Sequence, residues 1–185
     1  ERIASSLRRT EDNVKGSVHM NELSYVHGAS SQPLLGEPIF QNLRRTAQRV
    51  KDHEALVSAQ QGYRATYGEL VDQCEQVARG LMARGVKKGD RVAIWSPNRY
   101  EWVIVQYATA AMGAILVNIN PAYRTHELEY ALNQSGITFL ILAAGFRQTD
   151  YRAMLAEVEG KCPALREALV LEDGWEALKR DAAQV

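Results

Sequence analysis

One segment, residues 89–124, most constrains the fold that this chain can adopt. It contains two short apolar runs, 91–96 and 114–119, on either side of an almost uniformly apolar segment, 100–112. The short runs predict β-strands that are covered on both faces, which is typical of a parallel sheet. The middle segment predicts a helix, and because that helix has no polar face we expect it to lie deep in the protein. Together they predict a β-α-β unit.

The rest of the chain continues this alternation of helices and strands. Thr66 and Glu69 have the spacing of a capping box, which predicts a helix start, and Gly85 has the position of a helix-ending glycine. The other predicted elements are a helix at 38–50, a hairpin at 54–65, a helix at 125–133 capped by Thr125, a strand at 137–142, a helix at 149–158, a strand at 168–171 and a helix at 175–183. This order predicts an α/β protein with a parallel, doubly wound sheet and flanking helices.

Charge and composition disfavour several kinds of partner. The formal net charge is zero, which gives no electrostatic basis for a nucleic-acid or acidic-membrane partner. No apolar run is long enough to predict a transmembrane segment. The two cysteines, Cys74 and Cys162, lack the spacing of metal ligands, and Cys74 is predicted to be buried on an apolar helix face. We therefore predict no metal site and a cytoplasm-like compartment.

The common phosphate-binding and catalytic motifs are absent from the sequence. It contains neither G-x-G-x-x-G nor G-x-x-x-x-G-K-[ST], which disfavours Rossmann-type dinucleotide binding. It also lacks the G-x-S-x-G elbow of hydrolases and the H-E-x-x-H helix of metalloproteases. We therefore identify no catalytic residue in this chain.

Three loops are candidate ligand sites, because a parallel sheet binds ligands beyond the carboxyl ends of its strands. They lie at 96–98, 118–124 and 143–147. In the second loop, Pro121 favours an extended backbone at the preceding residue, and Tyr123 offers a planar ring. Arg124 lies at the start of the next helix, where the helix dipole and the guanidinium both favour an anion. The alternative is that Tyr123 is packed and Arg124 is solvated.

Six short patterns occur in order along the chain. They are T-Y-x-E-L at 66–70, G-x-x-x-G-D-R-V at 85–92, P-N-x-x-E-W at 97–102, G-A-I-L-V-x-x-N-P at 113–121, N-P-A-Y-R-x-x-E-L-E-Y at 120–130 and S-G-I-T-F-L-I at 135–141. Each pattern is weak alone, but the ordered series is specific, and the likeness extends over about residues 39–160. The series resembles the amino-terminal subdomain of the adenylate-forming acyl-CoA synthetases. The N-P-A-Y form is similar to the fatty-acyl branch of that family.

This resemblance implies a ligase that works in two steps. A fatty acid or another carboxylic acid attacks the α-phosphate of ATP, with Mg²⁺ neutralising the phosphates, and coenzyme A then displaces AMP from the acyl adenylate. In the family the phosphate loop, the adenine and ribose sites and the catalytic lysine all follow the region matched here. The resemblance therefore implies an incomplete adenylate-forming domain without activity of its own.

The resemblance also points to candidate binding residues. Some relatives hold the nucleotide phosphate of coenzyme A with a basic residue in the loop that matches residues 121–124. This makes Arg124 a candidate coenzyme A contact, together with Tyr123 in the same loop and Arg147 after the next strand.

The predicted organisation has three parts. Residues 1–19 have no apolar period and are interpreted as a vector-derived or disordered segment, with a mitochondrial presequence as the alternative. Residues 20–37 are predicted to form a loop. Residues 38–185 are predicted to form the partial α/β domain, without the phosphate loop and the carboxyl-terminal domain of the family.

Two alternatives to an acyl-CoA ligase fragment stay open. One is a stand-alone truncated scaffold or dimerisation module. A homodimer is compatible both with this module and with the ligase fragment. The other is an adenylating enzyme that transfers the acyl group to a carrier-protein thiol or to oxygen. The predicted location is the bacterial cytoplasm, with the mitochondrial matrix as the alternative.

Overall fold

The computed structural model describes residues 28, 31 and 33–185. The prediction for residues 1–19, and most of the loop predicted at 20–37, therefore lie outside the described residues. Residues 33–36 adopt neither helix nor strand and belong to a separate unit. Glu37–Val185 form one compact unit, which contains all the described helices and strands.

Helices and strands alternate along this unit. The helices are α1 (Ile39–Val50), α2 (Tyr67–Ala83), α3 (Tyr100–Met112), α4 (Thr125–Gln134), α5 (Tyr151–Val158) and α6 (Leu171–Asp181). The strands are β1 (Glu54–Ser58), β2 (Tyr63–Thr66), β3 (Arg91–Trp95), β4 (Ile115–Asn118), β5 (Phe139–Leu142), β6 (Gly145–Phe146), β7 (Thr149–Asp150) and β8 (Glu167–Val170). Among the described residues, no helix combines the length and the apolar character needed to cross a membrane.

Four of the strands form a parallel sheet with the order β4-β3-β5-β8. Successive side chains of a strand point to opposite faces of a sheet. On one face, Val92 and Ile94 pack in a core cluster with residues of α2, α3 and α6. On the other face, Ala93 and Trp95 pack with residues of α4 and α5. Helices thus cover both faces, which confirms the predicted parallel, doubly wound α/β fold.

The structure confirms both predicted ends of α2, the first by side-chain hydrogen bonds and the second by the backbone conformation of a glycine. The Thr66 hydroxyl accepts from the Glu69 backbone N–H at 3.3 Å, and the Glu69 carboxylate accepts from the Thr66 backbone N–H at 2.7 Å. After the last turn, Gly85 has a φ of 80°, which glycine adopts without a steric penalty. The predicted hairpin also forms, because β1 and β2 pair in antiparallel fashion.

Helices α2 and α6 approach each other closely at one point. A Cβ atom placed on Gly80 of α2 would lie 2.0 Å from the carbonyl oxygen of Leu178 in α6. Leu178 and the neighbouring Leu81 are fully buried in the same core cluster. A side chain at Gly80 would therefore force the two helices apart.

The predicted burial of the β-α-β unit is wrong in two places. β4 lies at the edge of the sheet, and Ile115 of this strand is 48% exposed. Helix α3 buries only the face that includes Ile104, Val105 and Ala108, while the opposite face is partly exposed. Within the described residues, Leu116 and Val117 of β4 pack against the core clusters on the two faces of the sheet, but no strand pairs with the outer edge of β4, and part of the apolar surface of α3 is left uncovered.

Two predicted boundaries around α4 are also wrong. Thr125 does not cap this helix: Arg124 is the N-cap residue, and its backbone N–H donates to the Glu127 carboxylate at 2.8 Å. The strand predicted at 137–142 begins only at Phe139. Its first predicted residue, Ile137, instead closes the end of α4, because its backbone N–H donates to the Leu132 carbonyl at 3.1 Å.

Further along the chain, a hairpin replaces part of a predicted helix. Strands β6 and β7 pair in antiparallel fashion, and α5 therefore begins at Tyr151 rather than at residue 149. Asp150 caps α5 by accepting from the backbone N–H groups of Arg152 and Ala153. Helix α6 begins at Leu171 directly after β8, so the helix start predicted at 175 is wrong.

Candidate functional site

The loops that follow β3, β4 and β5 lie at the same edge of the sheet, because these three strands are parallel neighbours. Two of them form the candidate site. The first, residues 119–124, links β4 to α4, and the second, residues 143–150, links β5 to α5 and contains the β6–β7 hairpin.

Two buried aromatic residues fix the backbone of the first loop. The Trp95 indole N–H donates to the Asn120 carbonyl at 3.1 Å, and the Tyr151 hydroxyl donates to the Pro121 carbonyl at 2.6 Å. The two rings stack with their centroids 3.7 Å apart, and both side chains are fully buried. Burial raises the pKa of Tyr151 to about 12, so its hydroxyl keeps the proton that it donates.

Arg124 and Arg147 come together across a cleft of about 310 Å³ between the two loops. The cleft is lined by Pro121, Ala122, Arg124, Phe146, Arg147, Gln148 and Thr149. The Arg124 guanidinium donates to the Thr149 hydroxyl at 3.3 Å, and the Arg147 guanidinium lies 5.1 Å from the centroid of the Phe146 ring. Neither guanidinium forms an ion pair with any of the described residues. The cleft therefore presents two positive charges that can bind an anion.

Tyr123 does not line this cleft. It lies in a neighbouring groove of about 430 Å³, together with side chains of β4 and α4 that include His126 and Tyr130. Its ring is half-buried and packs against the core cluster beneath α4 and α5. The structure therefore brings two of the three candidate residues together and separates the third from them.

The start of α4 contributes less to an anion site than the sequence suggests. The Glu127 carboxylate already accepts from the backbone N–H of Arg124, so a negative charge occupies this helix terminus. The helix dipole is therefore largely satisfied from within the chain. What remains available for an anion is the pair of guanidinium groups.

A charged network contacts the second loop at the backbone of Ala144, and sequence reasoning missed it. The Arg99 guanidinium makes two hydrogen bonds to the Glu101 carboxylate, at 2.7 and 3.1 Å, and a further one to the Glu172 carboxylate. Gln61 also donates to Glu101, at 2.9 Å. Glu101 is only 4% exposed. The P-N-x-x-E-W pattern contains both Arg99 and Glu101, but nothing in that pattern identifies Glu172 as their partner.

Both carboxylates of this network are held in the ionised form. Burial opposes the charge on Glu101, but hydrogen bonds from Arg99 and Gln61 outweigh it and place the pKa below its usual value. Burial likewise opposes the charge on Glu172, and hydrogen bonds from Arg99 and from the Ala144 backbone N–H lower its pKa. The network therefore contains two carboxylates around one guanidinium.

Comparison with known proteins identifies the family. Residues 43–184 match the AMP-binding enzyme family. The zebrafish (Danio rerio) protein named medium-chain acyl-CoA ligase ACSF2, mitochondrial, is 43% identical over 145 residues, which cover 78% of this chain and 23% of the relative. The Bacillus subtilis protein YngI is 42% identical over 135 residues, which cover 73% of this chain and 24% of the relative.

The fold matches a solved structure as well. The long-chain-fatty-acid-CoA ligase FadD1 from Archaeoglobus fulgidus superposes with a TM-score of 0.74 at 24% identity, over 88% of this chain and 33% of that one. This likeness concerns the fold alone. The chain spans about a quarter of the length of the curated relatives that it matches, 23% in the zebrafish protein. Because the family match covers most of its residues, the chain belongs to the AMP-binding enzyme family.

Proposed function

We propose that this chain is the amino-terminal part of an ATP-dependent acyl-CoA ligase. Such a ligase converts a carboxylic acid to an acyl adenylate with release of pyrophosphate, and then transfers the acyl group to the thiol of coenzyme A. Family membership supports this proposal, and so does the name of the zebrafish relative, a medium-chain acyl-CoA ligase. Among the relatives, the zebrafish protein is named mitochondrial, which supports the mitochondrial alternative, and YngI comes from a bacterium.

The cleft between Arg124 and Arg147 is the observation that supports a coenzyme A site in this chain. Coenzyme A has phosphate groups at its nucleotide end, and arginine binds phosphate with two parallel hydrogen bonds. The two side chains come from different loops, and neither is neutralised by a described carboxylate. This donor set fits a phosphate group. We assign no residue of the chain to ATP or Mg²⁺, because the sequence contains no glycine-rich phosphate loop.

Calorimetric titration of the chain with coenzyme A tests this assignment. Arg124→Ala and Arg147→Ala should each raise the Kd for coenzyme A by about tenfold, since a hydrogen bond to a charged group contributes about 1.5–3 kcal/mol. The effect should diminish at high salt, because both side chains are exposed. Arg49→Ala is the matched control: Arg49 is also exposed and lies on α1, away from the cleft lining. Equal Kd values for wild type and both cleft variants would refute the assignment.

We also propose that the chain alone does not catalyse adenylation. The resemblance places the phosphate loop, the adenine and ribose sites and the catalytic lysine of the family after the region matched here. The chain mixed with ATP, a medium-chain fatty acid and coenzyme A should therefore release no pyrophosphate. Pyrophosphate release above the rate of a heat-denatured sample would show that this proposal is wrong.

A further inference from the structure

Among the described residues, the base of the hairpin that carries Arg147 is held by one carboxylate contact and by a backbone hydrogen bond from the Tyr151 N–H to the Ala144 carbonyl at 3.0 Å. The backbone N–H of Ala144, which precedes β6, donates to the Glu172 carboxylate at 2.7 Å. Glu172 lies in the first turn of α6, 28 residues further along the chain. The hairpin itself contains only two residues in each strand. Strands this short have little stability of their own, so contacts from outside the hairpin determine its position.

Glu172 is itself held in place from the other side. One of its oxygens accepts from Arg99, and Arg99 is fixed by two hydrogen bonds to the buried Glu101. The Arg99 side chain is 16% exposed and that of Glu172 is 39% exposed, so the end of this arrangement at Arg99 and Glu101 is the part removed from water. The network therefore connects a buried anchor, Glu101, to the backbone N–H of Ala144 through two charged side chains.

The opposite wall of the cleft is attached through two buried aromatic residues, and one of them, Tyr151, also holds the Ala144 carbonyl through its backbone N–H at 3.0 Å. Trp95 and Tyr151 hold the carbonyls of the loop that carries Arg124. Across the cleft, the only hydrogen bond between the two walls among the described side chains is the one from Arg124 to Thr149, at 3.3 Å. The separation of the two guanidinium groups therefore depends in part on how firmly the base of the hairpin is held, and at this base Ala144 is held by both Glu172 and Tyr151.

We propose that Glu172 is a positioning residue for the anion cleft, and this inference rests on the proposed coenzyme A site. By accepting from the Ala144 backbone N–H, Glu172 fixes the β6–β7 hairpin and so holds Arg147 opposite Arg124. Glu172 does not itself line the cleft. Its effect on a bound phosphate is transmitted through the backbone of residues 144–147.

A positioning role and a simple charge effect predict opposite results. Glu172 is a negative charge near an anion site, so its removal should strengthen anion binding if only Coulomb interactions matter. If Glu172 positions the hairpin, its removal should weaken anion binding. Glu172→Ala and Glu172→Gln remove the same charge, but glutamine keeps an oxygen that can accept from Ala144. The two variants therefore separate the charge from the hydrogen bond.

The experiment combines calorimetry with amide hydrogen exchange on the whole chain. The probe for calorimetry is coenzyme A, and exchange is followed at the backbone N–H groups of residues 144–149. Glu172→Ala should speed this exchange by about tenfold, the size expected for loss of a hydrogen bond to a charged acceptor, and should weaken coenzyme A binding several-fold. Glu172→Gln should recover much of both effects. Asp173→Ala is the matched control, because Asp173 is the next residue, 61% exposed, and pairs with Arg152 rather than Ala144.

Each outcome supports or overturns the inference. Faster exchange and weaker binding in Glu172→Ala, with recovery in Glu172→Gln and no change in Asp173→Ala, support it. Equal exchange in wild type and Glu172→Ala overturns it, as does equally tightened binding in both Glu172 variants. If wild type binds no coenzyme A, the proposed site fails, and the exchange rates alone decide whether Glu172 positions the hairpin.

Discussion

The close approach of α2 and α6 at Gly80 leads to a prediction that runs against helix propensity. Alanine is more favourable than glycine inside a helix by about 1 kcal/mol, so Gly80→Ala would stabilise an isolated α2. In the folded chain the new Cβ atom would lie 2.0 Å from the backbone carbonyl oxygen of Leu178. A backbone oxygen cannot rotate away as a side chain can. The two helices must therefore separate to accept the methyl group.

The geometry sets the size of the effect. Cβ atoms in proteins essentially never lie within 3.0 Å of another heavy atom, so the 2.0 Å approach must widen by at least 1 Å. A gap of about 1 Å removes a quarter to a half of the dispersion energy between the surfaces that it separates. Overpacking of a core costs about 1–3 kcal/mol, and we expect the upper end because Leu178 and Leu81 are fully buried at this contact. After the gain in propensity is subtracted, Gly80→Ala should destabilise the chain by about 2 kcal/mol.

Urea unfolding followed by tryptophan fluorescence measures this difference. Gly68→Ala is the matched control on the same helix, because the atoms within 3.0 Å of its Cβ would be Cγ and Cε of the Lys51 side chain, at 2.8 and 3.0 Å, and not a backbone atom. We expect the cost of shifting Lys51 to offset the gain in helix propensity, so that Gly68→Ala changes the free energy of unfolding by less than about 0.5 kcal/mol. The reasoning is refuted if Gly80→Ala is as stable as wild type, or if both variants lose the same stability.

Two further predictions concern the ends of helices and the buried tyrosine. Thr66→Ala should lower the free energy of unfolding by about 1 kcal/mol, because it removes half of the capping box of α2. Thr125→Ala should have little effect, because Arg124 is the N-cap residue of α4. Urea unfolding of the two variants measures the difference. Tyr151 keeps its proton in the folded chain up to a pKa of about 12, against about 10 in the unfolded chain. The resulting stabilisation is fully present below pH 10 and is lost as the pH rises towards 12, by up to roughly 3 kcal/mol. Tyr151→Phe should lack this part of the pH dependence. In urea unfolding between pH 9 and pH 11.5, the free energy of unfolding of wild type should therefore fall towards that of Tyr151→Phe as the pH rises. A difference between the two proteins that stays constant with pH would contradict the raised pKa of Tyr151.

The sequence predicts best those features that depend on near neighbours. Helix α3 occupies residues 100–112 as predicted, since apolar residues bounded by Pro97 and Gly113 define it locally. The capping box at Thr66 is likewise a contact within three residues. The β6–β7 hairpin was not predictable in this way, because strands of two residues are too short to show an alternating pattern.

Burial was harder to predict than secondary structure. The apolar run of β4 shows that both faces of this strand suit an apolar environment, but it does not show which part of a protein supplies the cover. In the described residues, β4 pairs on one side only, with β3, and Ile115 is exposed. The same holds for α3, whose outer face is apolar and only partly covered.

The candidate site was predicted as separate residues rather than as an arrangement. The position of Arg124 and Arg147 after parallel strands placed both at one edge of the sheet. Their meeting across a single cleft depends on the hairpin, which the sequence did not indicate. The contact of Arg99 with Glu172 joins residues 73 positions apart, and no local pattern can specify such a pair.

The order of the sheet, β4-β3-β5-β8, bears on how the chain can assemble during translation. β3 is the first of these strands to leave the ribosome, and β4 pairs with one of its sides. β5 then pairs with the other side of β3, and β8 pairs with β5. Each new strand thus finds a partner that has already been synthesised, and no strand must insert between two that are already paired. The domain can therefore grow outward from β3 in the order in which its strands are made, with each addition extending an existing edge.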